Sequence, residues 1–155
     1  SEAPSRARRV VKSGDVIFAT IRPTLKRIAI IPPELDGAIC STGYFVIRPT
    51  ESLLSKYVFY YLNGGRFLNE MEALQRGASY PAVSDRDVKN HQICFPSLAE
   101  QERIVAILDE ANESVQGLRD GLFVKLAGLE ELKQSVLEKA FSGELTDSVL
   151  EEAGV

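Results

Sequence analysis

The sequence predicts an α+β chain, a small mixed α/β domain followed by a long coiled-coil-forming α-helix. Three observations carry that reading. All seven prolines and ten of the twelve aromatic residues lie at or before Pro96; after it the composition turns to Leu, Ala, Glu, Lys, Val and Gln, mostly good helix formers. Charge divides at the same place. Residues 1–95 hold 13 Lys and Arg against 9 Asp and Glu, while residues 96–155 hold 5 against 13, so the net charge of −4 hides a basic part followed by an acidic one. Such an asymmetry suggests two parts with different partners. Third, short runs of apolar residues give way, after Pro96, to helical spacing sustained almost to the end of the chain.

In order along the first part, Val16 to Thr20 and Arg27 to Ile31 are short runs rich in Ile and Val, separated by Arg22-Pro23-Thr24, and read as strands joined by a turn. Tyr44 to Arg48, bounded by Gly43 and Pro49, and Gln92 to Phe95, which stops at Pro96, read as two more. Leu53, Leu54, Tyr57, Val58, Tyr61 and Leu62 fall at i, i+3, i+4 spacing and predict a helix with one apolar face, ended by Gly64-Gly65. Phe67 to Leu74 reads as a second short helix and Gly77 to Pro81 as a loop.

The second part opens with Ser97-Leu98-Ala99-Glu100, the pattern of a capping box. From Leu98 to Phe141, before the glycine stop at Ser142-Gly143, a continuous helix would run roughly 66 Å at about 1.5 Å per residue. Ile104, Leu108, Ala111, Val115, Leu118 and Leu122 follow at alternating steps of four and three, a heptad seam that needs a partner helix. Leu126 breaks the alternation like a stutter, and Leu129, Leu132, Val136 and Ala140 continue it. Gly117, Gly121 and Gly128 each cost about 1 kcal/mol relative to Ala inside a helix. They leave two readings open, close approach of another backbone or two helices joined by a turn near Gly117 to Gly121.

With 155 residues, 45% of them apolar and 26% charged, the chain is neither collagen-like, nor a disulfide scaffold, nor fully disordered. No run approaches the length of a membrane span, and Ser1 to Lys12 is polar and basic, so neither a membrane partner nor a secretory signal is expected. Cytoplasmic localisation follows, with Cys40 and Cys94 expected reduced and buried.

Catalytic motifs are missing. There is no phosphate-binding glycine loop, no GxGxxG and no HExxH, and the single histidine, His91, has no nucleophile elbow beside it, which favours a structural or surface role. Asp85, Asp87 and Lys89 give an acid-x-acid-x-lysine spacing that could hold a divalent metal for nuclease chemistry. A short helix with a charged solvated face explains the same residues, and no second acidic cluster lies nearby, so the reading assigns no metal, no cofactor and no catalytic residue. The positive features are loops. Thr20 to Arg27 sets cations around a proline-stiffened turn, Ser41-Thr42-Gly43-Tyr44 presents hydroxyls, and Arg76 to Ser84 offers a cation, hydroxyls and an aromatic ring. Cations suit phosphates; hydroxyl and aromatic groups suit base edges, thymine methyls and sugars. The basic run Arg6, Arg8, Arg9 and Lys12 adds to the electrostatic case.

Five phrases read together carry a resemblance. Gly14-Asp15-Val16-Ile17-Phe18-Ala19-Thr20-Ile21-Arg22-Pro23, Cys40-Ser41-Thr42-Gly43-Tyr44, Ser79-Tyr80-Pro81-Ala82-Val83-Ser84, Phe95-Pro96-Ser97-Leu98-Ala99-Glu100-Gln101-Glu102-Arg103-Ile104-Val105, and Leu132-Lys133-Gln134-Ser135 with Lys139-Ala140-Phe141-Ser142-Gly143-Glu144-Leu145 resemble, in order, the DNA-specificity subunit of type I restriction-modification systems. The resemblance implies a non-catalytic subunit: a target-recognition domain over residues 1–95 that reads one half of a split site in double-stranded DNA, a spacer helix over residues 96–145, and a tail at 146–155. It implies docking on methyltransferase subunits and, through them, on the restriction subunit. Family subunits carry two such domains and two helices, and their recognition domain begins before the Gly14 phrase. The chain therefore resembles the C-terminal part of a subunit, incomplete at its start, or a half-size version that dimerises through its helix.

The residues this assigns to DNA are Arg22, Thr24, Lys26, Arg27, Ser41, Thr42, Tyr44, Arg76, Ser79 and Tyr80, although the same phrases serve equally as framework that holds loops in place. Helix packing, with a second copy or the missing half of the subunit, falls to Ile104, Leu108, Ala111, Val115, Leu118, Leu122, Leu129, Leu132 and Val136. The alternative is a coiled-coil protein-interaction module with no DNA contact.

Overall fold

β-branched and aromatic residues at alternate positions make the centre of the first part. In the computed structural model, which describes residues 5–144, strand β2 (Val16–Ala19) buries Val16, Phe18 and Ala19 and pairs antiparallel on both sides. Its neighbours are β3 (Ile28–Ile30) and β5 (Tyr44–Ile47), giving a three-stranded sheet in the order β3-β2-β5. Phe18 lies opposite Ile28 on one side and Phe45 on the other. A separate two-stranded ladder joins β1 (Ala7–Val10) to β4 (Ile39–Ser41), with a register shift between Ala7 and Arg9.

Helices α1 (Ser55–Asn63) and α2 (Gly65–Leu74) supply the other wall of the core. Val58, Leu62, Phe67, Leu68 and Met71 pack with Val16, Phe18, Val83 and Val88 in one cluster. At its middle the Phe18 and Phe67 rings meet edge to face, with centroids 5.0 Å apart. A buried aromatic or aliphatic side chain of this kind contributes about 1.5–3 kcal/mol, so the cluster outweighs any surface contact. Asp15 is buried beside it and needs partners. The Arg48 guanidinium donates to both carboxylate oxygens at 2.8 and 2.7 Å, and the Lys12 amide donates at 2.8 Å.

Helix α3 (Asp85–Asn90) begins with a capping box. The Asp87 amide donates to the Ser84 hydroxyl at 3.2 Å, and the Ser84 amide donates to the Asp87 carboxylate at 2.8 Å. The box predicted at Ser97 is not formed that way: both Glu100 oxygens are taken by Arg103, at 2.9 and 2.8 Å. Helix α4 (Leu98–Ser142) is one uninterrupted helix of 45 residues, which removes the alternative of two helices joined near Gly117 to Gly121. Gly143 follows with φ of 89°, the left-handed conformation that glycine supplies at a helix end.

The chain divides into two compact units after Leu108. Within the first, Gln101 is fully buried: its amide nitrogen donates to the Ser52 and Pro96 carbonyls and its oxygen accepts from the Leu54 amide, each at 2.9 Å. That side chain fastens the first turn of α4 to the start of α1. Within the second unit, the described residues 109–144 are almost all exposed, Leu118, Leu122, Leu129 and Leu132 between 60% and 70%.

Two expectations fail. Gln92 to Phe95 is not a strand, because no neighbouring strand offers hydrogen bonds to it; Ile93 instead lines an apolar cleft of about 220 Å³ with Phe45, Val58 and Phe67. Cys94 is exposed rather than buried and Cys40 half-buried, both as free thiols. Among the described residues no helix is long and apolar enough to cross a membrane. The tail at 146–155 lies outside the described residues.

A candidate nucleic-acid interface

The three predicted loops are drawn together by main-chain hydrogen bonds. Arg76 and Ala82 exchange both of their main-chain bonds at 2.9 Å, closing the loop Gly77 to Pro81. Gly77 can make this turn because it sits at φ of 101°, where an added Cβ would also stand 3.2 Å from the Tyr80 carbonyl. The loop is then sewn to the segment after β2: the Val83 amide donates to the Thr20 carbonyl at 2.9 Å and the Arg22 amide to the Pro81 carbonyl at 2.7 Å. Thr20 in turn donates its amide to the Gly43 carbonyl at 2.9 Å, and its hydroxyl to the same oxygen at 3.1 Å. The Thr42 amide donates to the Arg6 carbonyl at 2.8 Å.

That chain of contacts sets Arg22, Thr42, Arg76, Ser79 and Tyr80 on adjoining loops, each of them exposed. Ser41 spends its hydroxyl on the Gly43 amide at 3.2 Å, inside its own turn. Tyr44 is half-buried in β5 opposite Ala19, and its carbonyl accepts from Arg9 at 2.7 Å, so its main role here is sheet framework. Thr24, Lys26 and Arg27 are exposed on the β2–β3 connection, around the 3-10 turn Pro23–Leu25. Among the described contacts Lys26 and Arg27 form no ion pair, which leaves both cations available to an anionic partner.

Arg22 and Lys26 flank that turn and are, among the described residues, the two non-glycine residues with positive φ, 51° and 52°. Left-handed backbone at a side-chain-bearing residue costs on the order of 1–3 kcal/mol and persists only where its surroundings enforce it. The buried Pro23 and the Arg22 amide bond enforce it here. The Arg22 guanidinium reaches the Ser79 carbonyl at 3.3 Å and lies over the Tyr80 ring, 5.1 Å from its centroid. Arg6, Ile21, Tyr80 and Ala82 line a cleft of about 500 Å³. In the sequence Arg6 is only one cation of a basic run; the Thr42 bond that brings it to the loops is a non-local pairing with no local signal.

The remaining chemistry-bearing residues are engaged structurally. Asp85 pairs with Arg9, and the Asp87 carboxyl is held below the usual carboxylate range by the Ser84 hydroxyl and amide. The acid-x-acid spacing therefore sends its two carboxylates to different partners. His91 stands between the Tyr61 hydroxyl, 2.7 Å from Nε2, and Glu70, 2.8 Å from Nδ1, with its ring edge-on to Phe67. Both ring nitrogens are thus engaged in contacts within the fold.

Comparison with known proteins points the same way. The chain is 24% identical over 118 residues to the type I restriction enzyme HindI specificity subunit of Haemophilus influenzae, an alignment that covers 74% of this chain and 26% of that subunit. It is 26% identical over 134 residues to the EcoDI specificity subunit of Escherichia coli, covering 86% of this chain and 29% of the relative. Both relatives are specificity subunits, and the chain spans between a quarter and a third of their length. Among solved structures, the HsdS subunit from Thermoanaerobacter tengcongensis superposes with a TM-score of 0.68 at 50% identity, over 76% of this chain and 30% of that one. A chain from a structural study of complex assembly and conformational transition in the type I R-M system gives 0.69 at 51% identity, over the same shares. Residues 6–118, which include every loop of the candidate interface and the first turns of α4, match the type I restriction modification DNA specificity domain, and the chain belongs to that family.

Proposed function

We propose that the chain is a non-catalytic DNA-reading module of a type I restriction-modification system, recognising one half of a two-part target in double-stranded DNA. The observation that carries the reading is the convergence of three loops on one assembly of main-chain bonds, which exposes Arg22, Arg76, Ser79, Tyr80 and Thr42, with Tyr80 also lining the cleft it shares with Arg6. Cations there, with Lys26 and Arg27, are the candidates for phosphates or guanine, and the hydroxyls and the tyrosine ring are the candidates for bases and sugars. Helix α4 is the spacer and docking element. Its exposed apolar row, Leu108, Val115, Leu118, Leu122, Leu129, Leu132 and Val136, with Ile104 and Ala111, is the seam of a helix pair formed with a second copy or with the other half of a longer subunit. Methyltransferase subunits, and through them the restriction subunit, are the assembly it joins, in the cytoplasm where the DNA is.

The exposed seam on its own also favours a second reading, an interaction module that gathers protein partners without touching DNA. A salt titration of duplex binding separates the two. If three to five of the cations at Arg6, Arg22, Lys26, Arg27 and Arg76 meet phosphates, the logarithm of the association constant falls against the logarithm of salt with a slope of roughly −3 to −4.5. Absence of duplex binding at low salt overturns the DNA reading and leaves the interaction module.

A further inference from the structure

We propose that Arg22 is a positioning residue that braces Tyr80, and that the braced Tyr80 ring, over the cleft it shares with Arg6, Ile21 and Ala82, is the surface that packs against the flat face of a nucleotide. The inference rests on the DNA reading and goes beyond it, since that reading treats both residues alike as candidate contacts. Tyr80 is 72% exposed, unusual for an aromatic side chain in a loop closed this tightly. Its ring nevertheless has a neighbour on one face. Arg22 lies over one face, 5.1 Å from the centroid, and is not among the residues lining the cleft, whereas Tyr80 is. One face of the ring is therefore taken by a cation and the ring is presented to the cleft.

The backbone around Arg22 is arranged for this task. Its left-handed conformation directs the amide to the Pro81 carbonyl at 2.7 Å and the guanidinium to the Ser79 carbonyl at 3.3 Å, so one residue grips the loop on both sides of Tyr80. A residue whose purpose was to neutralise a phosphate would need no such grip, and Lys26, equally left-handed and without an ion pair among the described residues, shows the contrast. The cleft is about 500 Å³, bounded by apolar Ile21 and Ala82, with Arg6 as its one cation among the described residues. Aromatic wall, aliphatic floor and, among the described residues, a single cation suit the base and sugar of one nucleotide turned out of the duplex stack, with its phosphate at Arg6, by stacking that tolerates any base with a π-face.

The test uses the full chain and a fluorescein-labelled duplex pool enriched from random sequence by the wild-type protein. Tyr80→Ala is expected to weaken binding about tenfold, the scale of one lost aromatic–base contact. Arg22→Ala is expected to weaken it by a similar factor, to leave the salt slope unchanged, and to add less than about twofold in the Tyr80→Ala background, since a brace has nothing to hold once the ring is gone. Arg22→Gly keeps the left-handed backbone without strain; it should match Arg22→Ala, and both should speed tryptic cleavage at the Arg76–Gly77 bond. A salt slope reduced by about 0.9 with effects that multiply in the double variant makes Arg22 a phosphate contact and overturns the brace. Unchanged cleavage at Arg76–Gly77, or full binding by Arg22→Gly, overturns it too. A wild-type chain that binds no duplex at low salt overturns the DNA reading itself.

Discussion

Replacing Gln101 with leucine separates the docking of α4 from every other property of the chain. The leucine side chain is close to glutamine in size, so the site stays filled, but three hydrogen bonds of 2.9 Å disappear together. The Leu54 amide and the Ser52 and Pro96 carbonyls lose their side-chain partner. At about 1 kcal/mol for each group, the low end for buried polar atoms because Ser52 is exposed enough to find water, the loss is about 3 kcal/mol. For a domain of this size that lowers the melting temperature by roughly 10–20 °C. All five tyrosines lie between Tyr44 and Tyr80, so urea denaturation followed by tyrosine emission reports on the domain and not on the exposed stretch of helix. Gln101→Glu adds a pH signature. One oxygen still accepts from Leu54 while the other faces two carbonyls, and that repulsion, with burial, raises the folded pKa above the ordinary value of about 4.3. A raised folded pKa makes the defect fullest above that value and smaller as pH falls through it towards the unfolded value, because the protonated acid can donate to one carbonyl. A Gln101→Leu midpoint within about 0.5 kcal/mol of wild type refutes the docking role.

Two further outcomes follow from particular contacts. The Arg48 guanidinium, helped by the Lys12 amide, holds the buried Asp15 carboxyl below its usual range despite the opposing effect of burial. A lowered folded pKa means that the stabilisation is present above the unfolded value of about 3.9 and is lost as pH falls through the folded value; Asp15→Asn should lower stability at neutral pH and flatten the acid limb of a stability–pH curve, and a parallel curve would refute it. An added Cβ at Gly117, Gly121 or Gly128 meets nothing within 4 Å. Alanine at any of them should raise helix stability by about 1 kcal/mol, read as thermal melting of the far-ultraviolet dichroism, and a lower melting point would contradict the open space around them.

The strands a reader of the sequence can find are those that bury a β-branched face, β2, β3 and β5, and the helices are those with an apolar stripe. β1 and β4 escape because each takes its stability from the other. Ala7-Arg8-Arg9-Val10 carries two cations and reads as a solvated run, and Ile39-Cys40-Ser41 is three residues long; only the non-local ladder turns them into strands. Gln92 to Phe95 errs the opposite way, with strand composition and no partner. The three loops were legible as chemistry, since their residue types suit nucleic acid, but not as a single surface, because the bonds that join them cross gaps of some 20 to 60 residues. Gln101 was invisible for a related reason: in a charged, glutamate-rich helix it reads as one more solvent-facing residue, and only the position of Leu54 and Ser52 makes it the fastening.

The bonds that assemble the interface have a consequence for how such a module diverges. Between Thr20 and Gly43, Arg22 and Pro81, Arg76 and Ala82, and Thr42 and Arg6 they run from main chain to main chain. Main-chain bonds are indifferent to side-chain identity, so substitutions at Thr42, Arg76 or Ser79 alter what the surface presents while leaving the frame that holds it. Variation can therefore accumulate at the tips of these loops at little cost in folding, and a new preference is reachable by single steps through sequences that all remain folded.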